Sequence, residues 1–152
     1  MKVTITFECL VRNCNGSMQI EILDKDQLLY LGQNLQEGLL NINVDVDWPT
    51  QLTIITSNKD DTDTESDDTG KIISDKSIEV TGVLINNFLV QIDLVDQLFS
   101  CRWQHSKEIT YENYWGSNGT ITIDFLQSSP MRYFLKLKNQ FDMNRLQWDD
   151  HG

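Results

Sequence analysis

The chain has 152 residues and a mass of 17.6 kDa, which suits one domain that needs no disulfides to bury a core. Hydrophobic residues make up 39% and charged residues 23%, a globular rather than a disordered balance. Twelve Lys and Arg stand against 23 Asp and Glu, for a net charge of −11. That charge repels phosphate backbones and anionic bilayers, so it argues against nucleic-acid and membrane partners.

From Met1 the chain alternates at once, without the apolar core of a signal peptide. No apolar run approaches the roughly 18 residues that a spanning helix needs. The dominant period is two. Val3, Ile5, Phe7 and Cys9 alternate with Thr4, Thr6 and Glu8, which predicts a strand over 3–11 with one buried face. Met18, Ile20 and Ile22 predict a second strand, and the polar triplet Asp24-Lys25-Asp26 a turn into 27–31. Leu40, Ile42, Val44 and Val46 alternate with Asn41, Asn43, Asp45 and Asp47, and Trp48-Pro49 ends that strand. Residues 51–57 form the next β-branched run. Strands at this spacing predict an antiparallel β-sandwich, jelly-roll-like.

Residues 58–71 carry no large apolar side chain and predict a solvated loop. Strand character returns over 77–85. Asn86-Asn87 predicts a turn into 88–94, and residues 95–109 read either way. Residues 110–115 and 120–126, around Gly116-Ser117-Asn118-Gly119, predict a hairpin with a tight Asn-Gly turn. Asn15-Gly16-Ser17 predicts a second such turn. Ser128-Ser129-Pro130 offers a cap and a first-turn proline, so one short C-terminal α-helix is expected over about 129–140. The domain then covers 1–140. Residues 141–152 form a frayed tail or a docking arm, with Phe141, Met143, Leu146 and Trp148 as the partner-binding residues.

Motifs for catalysis are missing. There is no Gly-x-Ser-x-Gly elbow, phosphate loop, dinucleotide fingerprint or His-Glu-x-x-His, so no enzyme is expected. Cys9, Cys14 and Cys101 are odd in number and lack Cys-x-x-Cys spacing; with only His105 and His151 besides, they build no zinc site. Cys101 and His105 read as neighbours rather than as a nucleophile and its base. Asp61-x-Asp63-x-Glu65-x-Asp67 offers hard oxygen ligands at alternate positions, as calcium prefers. It is not an EF-hand: the sixth position is Ser66 and the twelfth Ile72. The competing reading is a self-repelling loop that guards a sheet edge. Trp48, Trp103, Tyr111, Tyr114 and Trp115 stand near turns or strand ends. They either form a stacking platform or plug the ends of the sandwich.

Two resemblances follow. Leu52-Thr53-Ile54-Ile55-Thr56-Ser57-Asn58, an acidic loop, and then Asp75-Lys76-Ser77-Ile78-Glu79-Val80 leading to Ile85-Asn86 resemble the small calcium-dependent, xylan-binding carbohydrate-binding modules. That resemblance implies calcium at Asn58, Asp60 and Asp75, with the metal contacting sugar hydroxyls, and Tyr114 or Trp115 stacking on the glycan. The acidic insert before Asp75-Lys76-Ser77-Ile78, and Tyr114-Trp115-Gly116-Ser117-Asn118-Gly119-Thr120 before a proline-containing helix, are similar to small acidic sandwich proteins in the virions of marine tailed phages. This implies a structural or accessory subunit of a capsid, neck, tail or fibre, assembled in the host cytoplasm and working through contacts with other virion proteins. The expectation is a non-catalytic virion subunit without a cofactor. A calcium-dependent carbohydrate-binding module is the alternative.

Overall fold

The computed structural model describes residues 1–13, 18–58, 65–66, 69, 72–74, 76–90, 98–104 and 106–125. Among the described residues, thirteen strands run in chain order. β1 is Lys2–Asn13, β2 Gln19–Asp24, β3 Gln27–Gly32, β4 Gly38–Asp47 and β5 Thr50–Ser57. β6 is Glu65–Ser66, β7 Ile72–Ser74, β8 Lys76–Ile85 and β9 Phe88–Leu89. β10 is Ser100–Trp103, β11 Ile109–Tyr111, β12 Tyr114–Trp115 and β13 Gly119–Phe125. The first sheet has the order β12-β8-β1-β4, with β9 also on β8; the second has the order β11-β10-β13-β5-β2-β3. Every pairing is antiparallel. The predicted mainly-β, two-sheet architecture is therefore found. The predicted helix and the arm residues Phe141, Met143, Leu146 and Trp148 lie outside the described residues, as do Cys14, Asn15-Gly16-Ser17, His105 and His151.

The alternation explains the packing. Val3, Ile5, Phe7, Cys9 and Val11 of β1 are buried, and so are Ile42, Val44 and Val46 of β4. They meet Ile20, Ile22, Leu52, Ile54, Cys101, Ile121, Ile123 and Phe125 of the second sheet in one core. Burial of each such side chain contributes roughly 1.5–3 kcal/mol. On the outer face, Thr4 and Thr6 donate through Oγ1 to Asp45 and Asn43, each at 2.6 Å.

β8 breaks the period once. Ile78 and Val80 face inward, and so do Val83 and Ile85. Glu8 opposes Gly82 while Cys9 opposes Val80, so Thr81 is the extra residue of a β-bulge that resets the alternation. Its Oγ1 donates to the Glu8 carbonyl at 3.2 Å. Asn86 and Asn87, at φ 49° and 68°, form the two-residue turn between Ile85 and its partner Phe88, a conformation asparagine tolerates.

Several strand expectations are corrected or completed. The segment 58–71 is not one irregular loop, because Glu65–Ser66 pairs with residues of Ile72–Ser74. Of the strand expected over 88–94, Phe88–Leu89 is found as β9, the Val90 N–H donates to the Val83 carbonyl at 2.8 Å, and residues 91–94 lie outside the described residues. The ambiguous stretch 95–109 contains β10. Residues 110–115 and 120–126 do not form a hairpin. β12 pairs with β8 in the first sheet, whereas β13 lies between β10 and β5 in the second. Gly119 begins β13 without a positive φ. A Cβ there would stand 2.6 Å from the Arg102 carbonyl oxygen and from Trp103 Cε3, so close strand approach requires this glycine.

Candidate functional site

Strand register sorts the connections into two ends. Asn13 opposes Lys76, Val11 opposes Gly38, Gln19 opposes Ser57, and Trp103 opposes Gly119. The acidic insert between β5 and β8 therefore leaves the sandwich at the same end as residues 33–37, 104–108 and 116–118.

That end is pinned by Thr56, which is 2% exposed. Its Oγ1 donates to the Ser117 carbonyl at 2.8 Å and accepts from the Gly119 N–H at 3.1 Å. Two residues on, Asn58 opens the insert. It is exposed, holds φ 64°, and donates from Nδ2 to Gln19 Oε1 at 3.4 Å. Left-handed backbone is common for asparagine. Asp60 and Asp75, the other expected metal ligands, lie outside the described residues. Among the described residues, no three His, Cys, Asp or Glu side chains gather into a metal set.

The two expected stacking residues separate. Trp115 is 1% exposed and packs edge-on against Phe99, with ring centroids 5.1 Å apart; Phe99 in turn lies 6.3 Å from Phe7. Its indole N–H donates to the Glu112 carbonyl at 3.0 Å. Trp115 is a core residue, and a sugar cannot reach its ring; this corrects its assignment as a stacking residue. Tyr114, one pleat over, is 39% exposed. Trp48 is buried against Phe125 at 5.1 Å, and Trp103 is half-buried with its indole N–H on Thr110 Oγ1 at 3.1 Å. Trp48, Trp103 and Trp115 thus belong to the packing. Tyr111 is more exposed than Tyr114, at 64%. It opposes Ser100 on the second sheet, while Tyr114 opposes Glu79 on the first. The two rings stand on the outer faces of different sheets and form no common platform.

The cysteines offer no nucleophile among the described residues. Burial pushes the Cys9 thiol up to about 12, and neighbouring Glu8 adds to this. Burial likewise raises Cys101 to about 11, partly offset by a backbone hydrogen bond with Glu112. Both thiols stay protonated at neutral pH. A cleft of about 390 Å³ at the opposite end includes Lys2, Thr4, Asp24, Gln27 and Asp45. Asp24 accepts from Thr50 Oγ1 and Asp45 from Thr4 Oγ1, each at 2.6 Å, so two of its carboxylates already serve the fold.

No protein-family model matches the chain, and no curated protein sequence matches it. Solved structures similar to it include vCBM60 in complex with galactobiose, at 12% sequence identity and a TM-score of 0.53, covering 80% of this chain and 97% of that one. A selenomethionine form of vCBM60 gives the same identity, TM-score and share of this chain, with 90% of its own length covered. That second structure is described as evidence that circular permutation links two families of calcium-dependent carbohydrate binding modules. At this identity the likeness shows the fold. Among the described residues no helix is long and apolar enough to cross a membrane.

Proposed function

We propose that this chain is a non-catalytic, jelly-roll-like module that binds a glycan with the help of calcium. The observation that carries the reading is the likeness of its two sheets to vCBM60 across 80% of the chain. The acidic insert supports it, because it is rooted at one end of the sandwich beside β12 and Tyr114.

The donor chemistry fits calcium. Asn58, Asp60 and Asp75 offer one amide and two carboxylate side chains, all hard oxygen donors. Calcium takes about six to eight oxygens, so backbone carbonyls, water and sugar hydroxyls would complete the shell. Bound calcium supplies a positive centre that orients hydroxyls. Asn58 and the Thr56 clamp hold the root of the insert, and Tyr114 presents an exposed ring. The virion-subunit reading keeps its support in the sequence pattern, with Phe141, Met143, Leu146 and Trp148 as its docking residues. A glycan-binding module on a virion would satisfy both.

Calorimetric titration with calcium tests the metal. The native chain should bind it and gain about 2.7 kcal/mol of stability at a hundredfold excess over Kd. Asp60→Ala should lose most of that gain. A native chain that shows neither heat nor thermal shift refutes the reading.

A further inference from the structure

Asn118 immediately precedes β13, which Gly119 opens. Asparagine is a thermolabile residue, and before glycine it readily loses its amide without an enzyme, because glycine has no Cβ to shield its backbone nitrogen. The Gly119 nitrogen gives up its proton and bonds to Asn118 Cγ. The Cγ–Nδ2 bond breaks, and the amide nitrogen leaves as ammonia. Water then opens the cyclic imide at either of its carbonyls. The product is aspartate, or isoaspartate with the main chain routed through Cβ. Either way a neutral side chain becomes a carboxylate.

The fold holds this peptide at both of its polar atoms. The Gly119 N–H donates to Thr56 Oγ1 at 3.1 Å, and the Asn118 carbonyl accepts from the Gln104 N–H at 2.9 Å. The Asn118 amide is engaged as well, donating from Nδ2 to Gln104 Oε1 at 3.5 Å. Thr56 is fixed in turn, since it is buried and its Oγ1 donates to the Ser117 carbonyl. Register adds to the grip: Gly119 opposes Trp103 on one side and Thr56 on the other. Each of these contacts opposes ring closure. The nitrogen keeps its proton in a hydrogen bond, and the peptide cannot rotate while its carbonyl is held.

We infer that Asn118 is a latent deamidation site, kept intact by the Thr56 clamp and released when this end of the sandwich opens locally. The inference does not rest on the glycan-binding reading. Closure of the imide needs an opening that frees the Gly119 nitrogen, so its rate follows the population of the opened state. The conversion runs one way. Isoaspartate lengthens the main chain just before a strand that is paired on both sides, so the connection 116–118 no longer fits back onto Thr56. Both products add a negative charge to a chain already at −11. Brief openings of the clamp thereby become a permanent change at the end where the acidic insert is rooted.

The experiment incubates the full chain in warm, mildly alkaline buffer, with and without urea, and follows the change from amide to acid at residue 118 by peptide mapping and mass spectrometry. The folded chain should convert about tenfold more slowly than the chain in urea, or slower still. Thr56→Val keeps the shape of the side chain and removes the hydroxyl, and should speed conversion in the folded chain about tenfold. Thr56→Ser keeps the hydroxyl and should stay close to the native rate. Val3→Ala trims the core near the opposite end. It should lower the melting temperature without speeding conversion at Asn118. If the folded native chain converts as fast as the chain in urea, the site is not latent. If Thr56→Val converts no faster than the native chain, the clamp is not its guard. If Val3→Ala converts as fast as Thr56→Val, global unfolding controls the site and the inference fails.

Discussion

β1 and β4 differ from the stretch 109–125 in one instructive way. The first pair runs ten residues in unbroken register, from Lys2 opposite Asp47 to Val11 opposite Gly38. Within each strand the inward residues are all of one parity. The second region has equally clear alternation, in Ile121, Ile123 and Phe125, yet its neighbour β12 belongs to the other sheet. A period of two tells which side of a strand is buried. It does not tell which sheet the strand joins. That choice is made by tertiary contacts: Trp115 against Phe99, Trp115 in register with Ile78, and the Thr56 clamp on Ser117 and Gly119.

The sharpest break of this comparison is Trp115→Ala beside Tyr114→Ala. The first empties a core site and should cost about 3–5 kcal/mol. The second trims a surface ring and should stay within about 0.5 kcal/mol. Urea melts of both variants check this; equal costs would mean that β12 is not docked as described.

Alkaline pH probes the regular region. Cys9 is held protonated in the fold, up to about 12 against an ordinary 9.0. The folded state therefore keeps its proton while the unfolded chain loses it. The Cys9 contribution is whole below pH 9 and is lost as pH rises toward 12, with about 2–3 kcal/mol gone by pH 11. The difference between native and Cys9→Ala melts from pH 7 to 11 isolates it from other titrating groups. The two should converge as pH rises.

Glycines give a smaller contrast. Gly119→Ala presses on the Arg102 backbone and the Trp103 ring and should cost about 1–3 kcal/mol. Gly82→Ala meets the end of the Glu8 side chain at 2.6 Å. That side chain can swing aside, so the cost should stay below about 0.5 kcal/mol. The smallest effect belongs to the turn: Asn87→Gly, at φ 68°, should raise stability by about 0.5 kcal/mol. Thermal melts resolve both.

Much of the frame was legible in the residues. Val3 to Val11, Ile42 to Val46, and the Asn86-Asn87 turn follow from local alternation and turn chemistry. The β8 bulge at Thr81 was less legible, because Ile78-x-Val80-x-x-Val83 reads as broken alternation until Glu8 is seen opposite Gly82. At the candidate site, adjacent aromatics looked interchangeable. Pleat parity alone separates Tyr114 from Trp115, and parity is assigned only once a partner strand is known. Tyr111 is among the aromatics that the sequence sets apart, but only its pairing with Ser100 shows that its ring faces outward.

The central claim is calcium-dependent glycan binding, and gel retardation measures it most directly. The native chain should be slowed in native gels cast with galactan or xylan when calcium is present, and should run freely in EDTA. Equal mobility in every gel, or retardation that survives EDTA, would contradict the account.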